Sequence, residues 1–171
     1  MQANIAKLIN EQINAEFYSA YLYLSFADYY AEEDLSGYAN YFEIQAAEER
    51  DHALIFRNYM HENGEKVTLK KIDQPKQTFK DYAGPLEAAL EHEKLVTSLI
   101  NKIYEAAHKA KDYRTMNFLN WFIDEQLEEE DNADNMVTRM RIFGKDSKAL
   151  YDLDAEYAAR TYSTPSPLAK N

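Results

Sequence analysis

The sequence predicts an all-α fold: a four-helix bundle with a long crossover between its second and third helices, and a short fifth helix near the C-terminal end. The 171 residues include only 4 glycines and 4 prolines, which is too little turn chemistry for many short strands. Apolar residues recur at spacings of three, four and seven, the period of an amphipathic helix. Residues 86–143 contain neither glycine nor proline. These observations argue against an all-β sandwich or barrel.

The first two helices are predicted to form a hairpin. The first covers about residues 4–32, and its apolar positions follow the helical period throughout. The second begins near Ser36, a residue type that favours the N-cap position, and ends before Gly64. The stretch 65–82 contains Pro75, has no sustained period and is too long for a turn between neighbouring helices. We therefore expect a crossover there.

The remaining helices complete a second hairpin and a short C-terminal element. The third helix begins near Pro85, whose fixed φ suits a first helical turn, and the fourth ends at Gly144. A fifth helix is predicted at about residues 146–161. We expect a single domain over residues 1–162 and a disordered tail over residues 163–171. Two hairpins joined by a crossover make the second and third helices parallel.

Composition limits the classes of function. Lysine and arginine total 19 against 30 aspartates and glutamates, so the net charge is −11, which argues against binding to nucleic-acid phosphates. The chain has no cysteine, which excludes disulfides, thiolate metal sites and cysteine nucleophiles. There is neither a signal-peptide pattern nor an apolar run of membrane-spanning length. We expect a cytoplasmic protein that binds no membrane.

The two predicted hairpins repeat each other at an offset of 77 residues. Six polar residues on the apolar stripes pair at this offset: Glu16 with Glu93, Glu49 with Gln126, and His52 with Glu129. Counted from the hairpin turns, all six lie at the same depth, and neighbours on each stripe are apolar. We therefore expect them to meet inside the bundle, around a pseudo-two-fold axis.

Several buried acids require a counter-charge. Burying an ionised carboxylate costs several kcal/mol unless it is paired, whereas a whole domain is stable by only about 5–15 kcal/mol. The only nearby base in the sequence is Arg50, which is turned away from Glu49 on the same helix. Carboxylates with a single imidazole suit two divalent cations, iron or manganese rather than structural zinc. A buried acid cluster without metal is the weaker interpretation.

A second acidic feature borders the predicted centre. Residues 124–134 hold seven acids and no base, and Glu125 and Glu128 are one turn apart. With Glu48 facing them across the bundle they predict an accessory cation site, although such a run is often only a solvated face. Tyr23 lies two turns from Glu16 on the same stripe, where it is placed to hydrogen-bond a ligand or donate an electron. A packing role in the core is the alternative for Tyr23.

Three segments of the chain resemble the non-haem ferritins of bacteria and archaea: residues 14–23 (NAEFYSAYLY), 48–52 (EERDH) and 121–126 (WFIDEQ). The resemblance extends over residues 1 to about 162. It implies an iron-storage protein that oxidises Fe²⁺ with O₂ or H₂O₂. It also implies that ferric mineral is deposited inside a hollow homo-oligomeric shell of 24 subunits.

The resemblance also implies particular roles for the polar residues. Glu16, Glu49 and His52 would hold one iron, while Glu49 bridges to a second iron held with Glu93. Gln126 would lie beside the second iron. The third iron site implied by the resemblance comprises Glu48, Glu125, Glu128 and Glu129. Tyr23 would be the redox-active tyrosine beside the centre.

Departures from related families narrow the expected function. The haem-binding branch has methionine directly after the bridging glutamate, but this chain has Arg50, so we expect no haem. Symmetrical di-iron bacterioferritins repeat the Glu-x-x-His motif, whereas the second copy here is Gln126-x-x-Glu129. The alternatives are a di-metal oxidase or peroxidase that stores no iron, and a non-catalytic helical bundle that serves as an interaction module.

Overall fold

The computed structural model describes residues 1–75 and 78–169, and these residues form five helices and no strands. The helices are α1 (Ala3–Glu32), α2 (Ser36–Glu62), α3 (Ala83–Ala110), α4 (Tyr113–Phe143) and α5 (Ser147–Ala158). The predicted all-α fold is confirmed, with bounds close to those expected. Residues 76 and 77 of the predicted crossover and residues 170 and 171 of the predicted tail lie outside the described residues.

The helices pack as two hairpins, α1 with α2 and α3 with α4, and α1 also lies against α3. Side chains of α2 and α4 meet on the remaining side, where the rings of Phe56 and Phe122 stack with centroids 4.0 Å apart. Two apolar clusters fill the bundle. The upper cluster lies near the α1–α2 turn and includes Tyr30 and Phe42, whereas the lower cluster includes Ile9 and Phe56. The predicted polar residues lie between these clusters.

The buried face of α3 differs slightly from the predicted stripe. Glu93 and Ile100 are buried as expected, but Val96 and Ile103 complete this face. The predicted positions Thr97 and Tyr104 are only half-buried. Glu93 remains central, so this small rotation does not displace the predicted polar layer.

The N-terminus of α2 is capped from another helix. The prediction that Ser36 is the N-cap is wrong, since Ser36 is the first helical residue and the helix has no local side-chain cap. Instead Asp154 of α5 accepts hydrogen bonds through Oδ1 from the backbone N–H groups of Gly37 (2.8 Å) and Tyr38 (3.0 Å). A Cβ on Gly37 would lie 1.7 Å from the backbone oxygen of Asp154. Glycine therefore allows α5 to approach and supply the cap.

The crossover is attached to α1 by asparagine side chains. Asn10 accepts from the Thr68 N–H (2.7 Å) and donates to the Thr68 carbonyl (3.1 Å). Asn14 accepts from the N–H of Lys70 at 2.6 Å. These bonds satisfy backbone groups of a segment that has no hydrogen bonds of a helix or a strand. They keep the chain along α1 as it passes from one hairpin to the other.

After α5 the chain continues along α2. The hydroxyl of Tyr162 donates to Asp51, and Leu168 packs against the lower cluster. Disorder of residues 163–171 in solution stays a prediction. None of the helices described is both long and apolar enough to cross a membrane.

Candidate metal centre

Glu16 of α1 and Glu49 and His52 of α2 form a buried group, here called the inner cluster. One ligand atom from each of these side chains lies within 4.8 Å of the other two. Each residue is only 1% exposed. Among the described residues, Glu16 Oε2, Glu49 Oε2 and His52 Nε2 have no hydrogen-bond partner. Buried polar atoms are almost always satisfied, so three unpartnered ligand atoms in one place make the inner cluster a candidate cation site.

The surroundings of the inner cluster fix its side chains. Gln12, one turn before Glu16, donates from Nε2 to Glu16 Oε1 at 2.8 Å, leaving the other oxygen unpartnered. The His52 ring lies edge-on to Trp121 and Phe122, with centroids 5.5 and 5.8 Å away. Its Nδ1 atom is 3.6 Å from Glu49 Oε2. Packing therefore holds the imidazole beside the carboxylates without satisfying it.

The polar residues of α3 and α4 form the other half of the layer. Glu93 accepts from the Tyr23 hydroxyl through Oε1 and from Gln126 Nε2 through Oε2, the latter at 3.0 Å. Glu129 accepts from Gln45 Nε2 at 2.8 Å. All five side chains are buried. The structure thus brings the six predicted layer residues together, with Glu93 and Glu129 held by neutral donors.

Burial and the crowding of carboxylates raise the pKa values of the acids in this layer. Burial, followed by repulsion from Glu49, raises the pKa of Glu16 well above its usual range. Burial, followed by repulsion from Glu93 and Glu49, does the same to the pKa of Glu129. Burial alone would lower the pKa of His52, but attraction to Glu125 and Glu49 outweighs it and the pKa is raised. Such a site favours positive charge, as protons or as metal cations.

The predicted accessory residues lie at the border of this layer. Glu125 has a side chain that is 27% exposed, and its Oε1 atom is 3.7 Å from His52 Nε2. The Glu48 side chain is 17% exposed and accepts from Arg160 Nη2 at 2.7 Å. Glu128, one turn after Glu125, is exposed. The structure therefore places Glu48 and Glu125 beside the inner cluster and Glu128 on the surface.

Comparison with known proteins identifies the family. A family model described as the ferritin-like domain matches residues 6–143. The chain belongs to the ferritin family. It is 35% identical over 162 residues to a bacterial non-heme ferritin of Staphylococcus aureus, covering 95% of this chain and 98% of that protein. It is 38% identical over 154 residues to the bacterial non-heme ferritin of Campylobacter jejuni, covering 90% and 92%.

Solved structures of ferritins show the same architecture. An engineered closed form of the Archaeoglobus fulgidus ferritin superimposes with a TM-score of 0.93 at 37% identity, over 95% of this chain and 99% of that chain. The open-pore ferritin of the same archaeon gives a TM-score of 0.92 at 38% identity, over 94% and 98%. The predicted resemblance to bacterial and archaeal ferritins is confirmed.

Sequence reasoning missed several residues of the centre. Gln12 and Gln45 lie on the predicted stripes, but nothing in the sequence showed that their amides bind Glu16 and Glu129. Arg50 is the only base near Glu49 in the sequence, but Arg160, which is distant in the sequence, also reaches the acidic region. Arg50 is exposed and pairs with its neighbour Asp51 at 3.1 Å, whereas Arg160 reaches Glu48 across 112 residues of sequence.

His92 also contacts the centre. Its ring lies edge-on to that of Tyr23, with centroids 5.9 Å apart, and its Nε2 atom is 2.7 Å from Ser19 Oγ. Burial lowers the pKa of His92 to about 4, so this imidazole is neutral at neutral pH. It therefore orients Tyr23 by packing and adds no charge to the layer.

Proposed function

We propose that this chain is an iron-storage ferritin that oxidises Fe²⁺ at the buried layer and deposits ferric iron inside a homo-oligomeric shell. The observation that carries the proposal is the inner cluster, with its three buried and unpartnered ligand atoms. Iron is here both substrate and cargo. Membership of the ferritin family supports the same function.

The donor set suits a pair of ferrous ions. Glu16, Glu49 and His52 would bind the first, with Glu49 bridging to a second bound by Glu93. Gln126 stays beside the second ion, since its amide already contacts Glu93. Hard carboxylate oxygens favour Fe³⁺ over Fe²⁺, so these ligands promote the loss of an electron from each ion. The two electrons and two protons convert O₂ to H₂O₂.

Tyr23 is proposed as a further electron donor, whose electron is accepted together with electrons from the irons as O₂ or H₂O₂ is reduced. Burial and the negative charges of Glu93 and Glu49 raise the pKa of Tyr23 well above its usual range, so its phenol stays protonated. The hydroxyl already donates to Glu93, which gives the phenolic proton an acceptor when an electron leaves the ring. Glu93 therefore connects the tyrosine to the second iron position.

A weaker third cation position is proposed at the border of the layer. Its ligands are Glu48, Glu125 and Glu128, with Glu129 shared between this position and the centre. The proximity of Glu125 to His52 supports a continuous path of acidic groups from the inner cluster outward. We refer to these four acids as the accessory cluster.

The shell is proposed to contain 24 subunits and to be located in the cytoplasm. Large apolar side chains are exposed on several elements, including Tyr21 and Leu24 of α1 and Leu69 and Ile72 of the crossover. Exposed apolar surface of this kind is typical of subunit contacts. The relatives and structural neighbours are themselves ferritins.

Aerobic loading of the metal-free protein with Fe²⁺ tests this function. The His52→Ala variant should oxidise Fe²⁺ far more slowly in the initial phase, because one ligand of the first ion is lost. The matched control is His61→Ala, which removes an exposed histidine from the end of the same helix. Initial rates that are equal in the wild type and His52→Ala would contradict the proposed centre.

The amount of retained iron separates storage from the alternative of a non-storing di-metal oxidase. After loading, size exclusion should show iron co-eluting with the protein at a ratio far above three ions per chain. Rapid oxidation with only two or three ions retained would favour the oxidase.

A further inference from the structure

Arg160 places a positive charge on the accessory cluster from the far end of the chain. It lies two residues beyond α5, and its Nη2 atom donates to Glu48 Oε2 at 2.7 Å. Its Nη1 atom donates to the Tyr41 carbonyl at 3.2 Å. The guanidinium carbon stands 4.3 Å from the centroid of the Tyr41 ring, a cation–π arrangement. The guanidinium is thus fixed in direction and aimed at Glu48.

The backbone around Arg160 is held independently of this ion pair. Asn40 Nδ2 donates to the carbonyls of Tyr157 (3.2 Å) and Arg160 (3.1 Å). Beyond Arg160, the Tyr162 hydroxyl donates to Asp51. The guanidinium can therefore leave Glu48 while the segment stays attached to α2 on both sides.

The inner cluster and the accessory cluster differ in whether a lysine or arginine is paired with their acids. Within the described residues, no lysine or arginine forms an ion pair with Glu16 or Glu49; the basic group beside Glu49 is the imidazole of His52. Glu48, in contrast, is already paired with a guanidinium. A hard divalent cation and a guanidinium compete for the same carboxylate, because each needs its oxygen atoms and they repel each other.

We propose that Arg160 is a built-in competitor of the accessory cation: a divalent ion binds through Glu48 only by displacing the guanidinium, which returns when the ion leaves. The inference rests on the proposed accessory cluster and specifies what controls its occupancy. Arg160 acts on the ion through Glu48 and is therefore a positioning residue. Because of this competition, the accessory cluster binds a cation with lower affinity than the inner cluster does. An ion that binds at the accessory cluster is therefore released again.

Calorimetric titration of metal-free protein with Zn²⁺ tests the proposal. Zn²⁺ undergoes no redox reaction, so the result does not depend on ferroxidase activity. The wild type should bind two ions tightly and one more weakly. The double variant Glu125→Ala, Glu128→Ala should lose the weaker ion, which assigns it to the accessory cluster.

The Arg160→Gln variant should bind that weaker ion about 3- to 10-fold more tightly, the equivalent of removing one partly exposed ion pair. Arg160→Lys keeps the positive charge but lacks the planar guanidinium. Its affinity for the weaker ion should lie between those of the wild type and Arg160→Gln. The matched control is Arg139→Gln, because Arg139 forms a comparable pair with Glu156 at 2.6 Å that joins α4 to α5. The control variant should bind the weaker ion with the same affinity as the wild type.

An unchanged or lower affinity of Arg160→Gln for the third ion would overturn the proposal, since Arg160 would then merely attach the C-terminal segment or support Glu48. Absence of a third ion from both the wild type and Arg160→Gln would also overturn it. Failure of the wild type to oxidise Fe²⁺, with the Zn²⁺ result as expected, would refute the proposed function but leave this inference standing.

A crystal structure of the Zn²⁺-loaded wild type gives a second readout that needs no variant to fold. Arg160 Nη2 should then lie beyond ion-pair distance from Glu48 Oε2. A zinc ion bound through Glu48 with the 2.7 Å contact intact would overturn the proposal.

Discussion

Replacing Glu16 by glutamine should stabilise the metal-free protein, by an amount that increases with pH. Glu16 is 1% exposed, and burial together with Glu49 raises its pKa well above the usual range. The folded protein therefore binds a proton more tightly than the unfolded chain does. Stability contributed by that proton is present at low pH and is lost as the pH rises through the folded-state pKa. Glutamine has no such proton to lose, and its amide oxygen can still accept from Gln12.

The part of the effect that comes from repulsion between Glu16 and Glu49 follows from the separation of their charges, and burial adds to it. Two ionised carboxylates at the 4.8 Å limit for the inner cluster repel by about 0.9 kcal/mol at an effective dielectric constant of 80 and by about 3.5 kcal/mol at 20. For a chain of this length, 1 kcal/mol shifts the melting temperature by about 2–4 °C. The variant should therefore melt roughly 2–14 °C higher once Glu16 of the wild type is ionised. Near pH 5 the difference should be smaller.

Differential scanning calorimetry in the presence of EDTA measures the difference in melting temperature between the variant and the wild type. Both proteins are compared at one concentration, because assembly makes the melting temperature depend on concentration. The control is Glu91→Gln, the same chemical change at an exposed position of α3, which should leave the melting temperature almost unchanged. Excess Zn²⁺ should reverse the order, since ligand binding stabilises only a protein that retains the site. A variant that melts below the wild type at about pH 8 in EDTA would refute the reasoning.

Three further predictions concern packing, haem and assembly. Gly37→Ala should destabilise the protein by about 1–3 kcal/mol in the same calorimetric assay, because its Cβ would displace Asp154; an unchanged melting temperature would show that α5 adjusts freely. Haem added to the purified protein should give no stoichiometric Soret band, since Arg50 follows Glu49 where the haem-binding branch has methionine; a stoichiometric band would contradict this. Light scattering should give a mass of 24 chains of 19.9 kDa, about 480 kDa, and a stable monomer or dimer with no larger species would reject the shell.

The features that the sequence predicted well are those that depend on the helical spacing of apolar residues and on the repeat of the two hairpins. The helices emerged from the spacing of apolar residues and the positions of Gly64 and Gly144, close to the observed bounds. The polar layer emerged from the 77-residue offset, because two hairpins of equal length place equivalent positions at equal depth. Glu16 and Glu93 are accordingly buried in the same layer.

The features that the sequence did not predict depend on where α5 and the segment after it lie. Ser36 is a locally favoured N-cap, yet Asp154 supplies the cap because Gly37 lets α5 come close. The approach of Arg160 to Glu48 likewise depends on the path of the chain after α5. No periodic signal relates positions 112 residues apart when one of them lies outside a helix.

Arg160 supplies a counter-charge to one part of the acidic region and not to the other. From the buried acids and the lack of a nearby base, the sequence predicted cations throughout the acidic region. In the structure, one part of that region has no arginine partner and the other part is paired with Arg160. Glu16 and Glu49 retain unpartnered oxygens, so a cation there gains the full attraction of the carboxylates. At Glu48 an incoming cation must first replace Arg160. We therefore expect the affinity for cations to decrease from the inner cluster outward, so that the accessory cluster releases iron while the inner cluster still binds it.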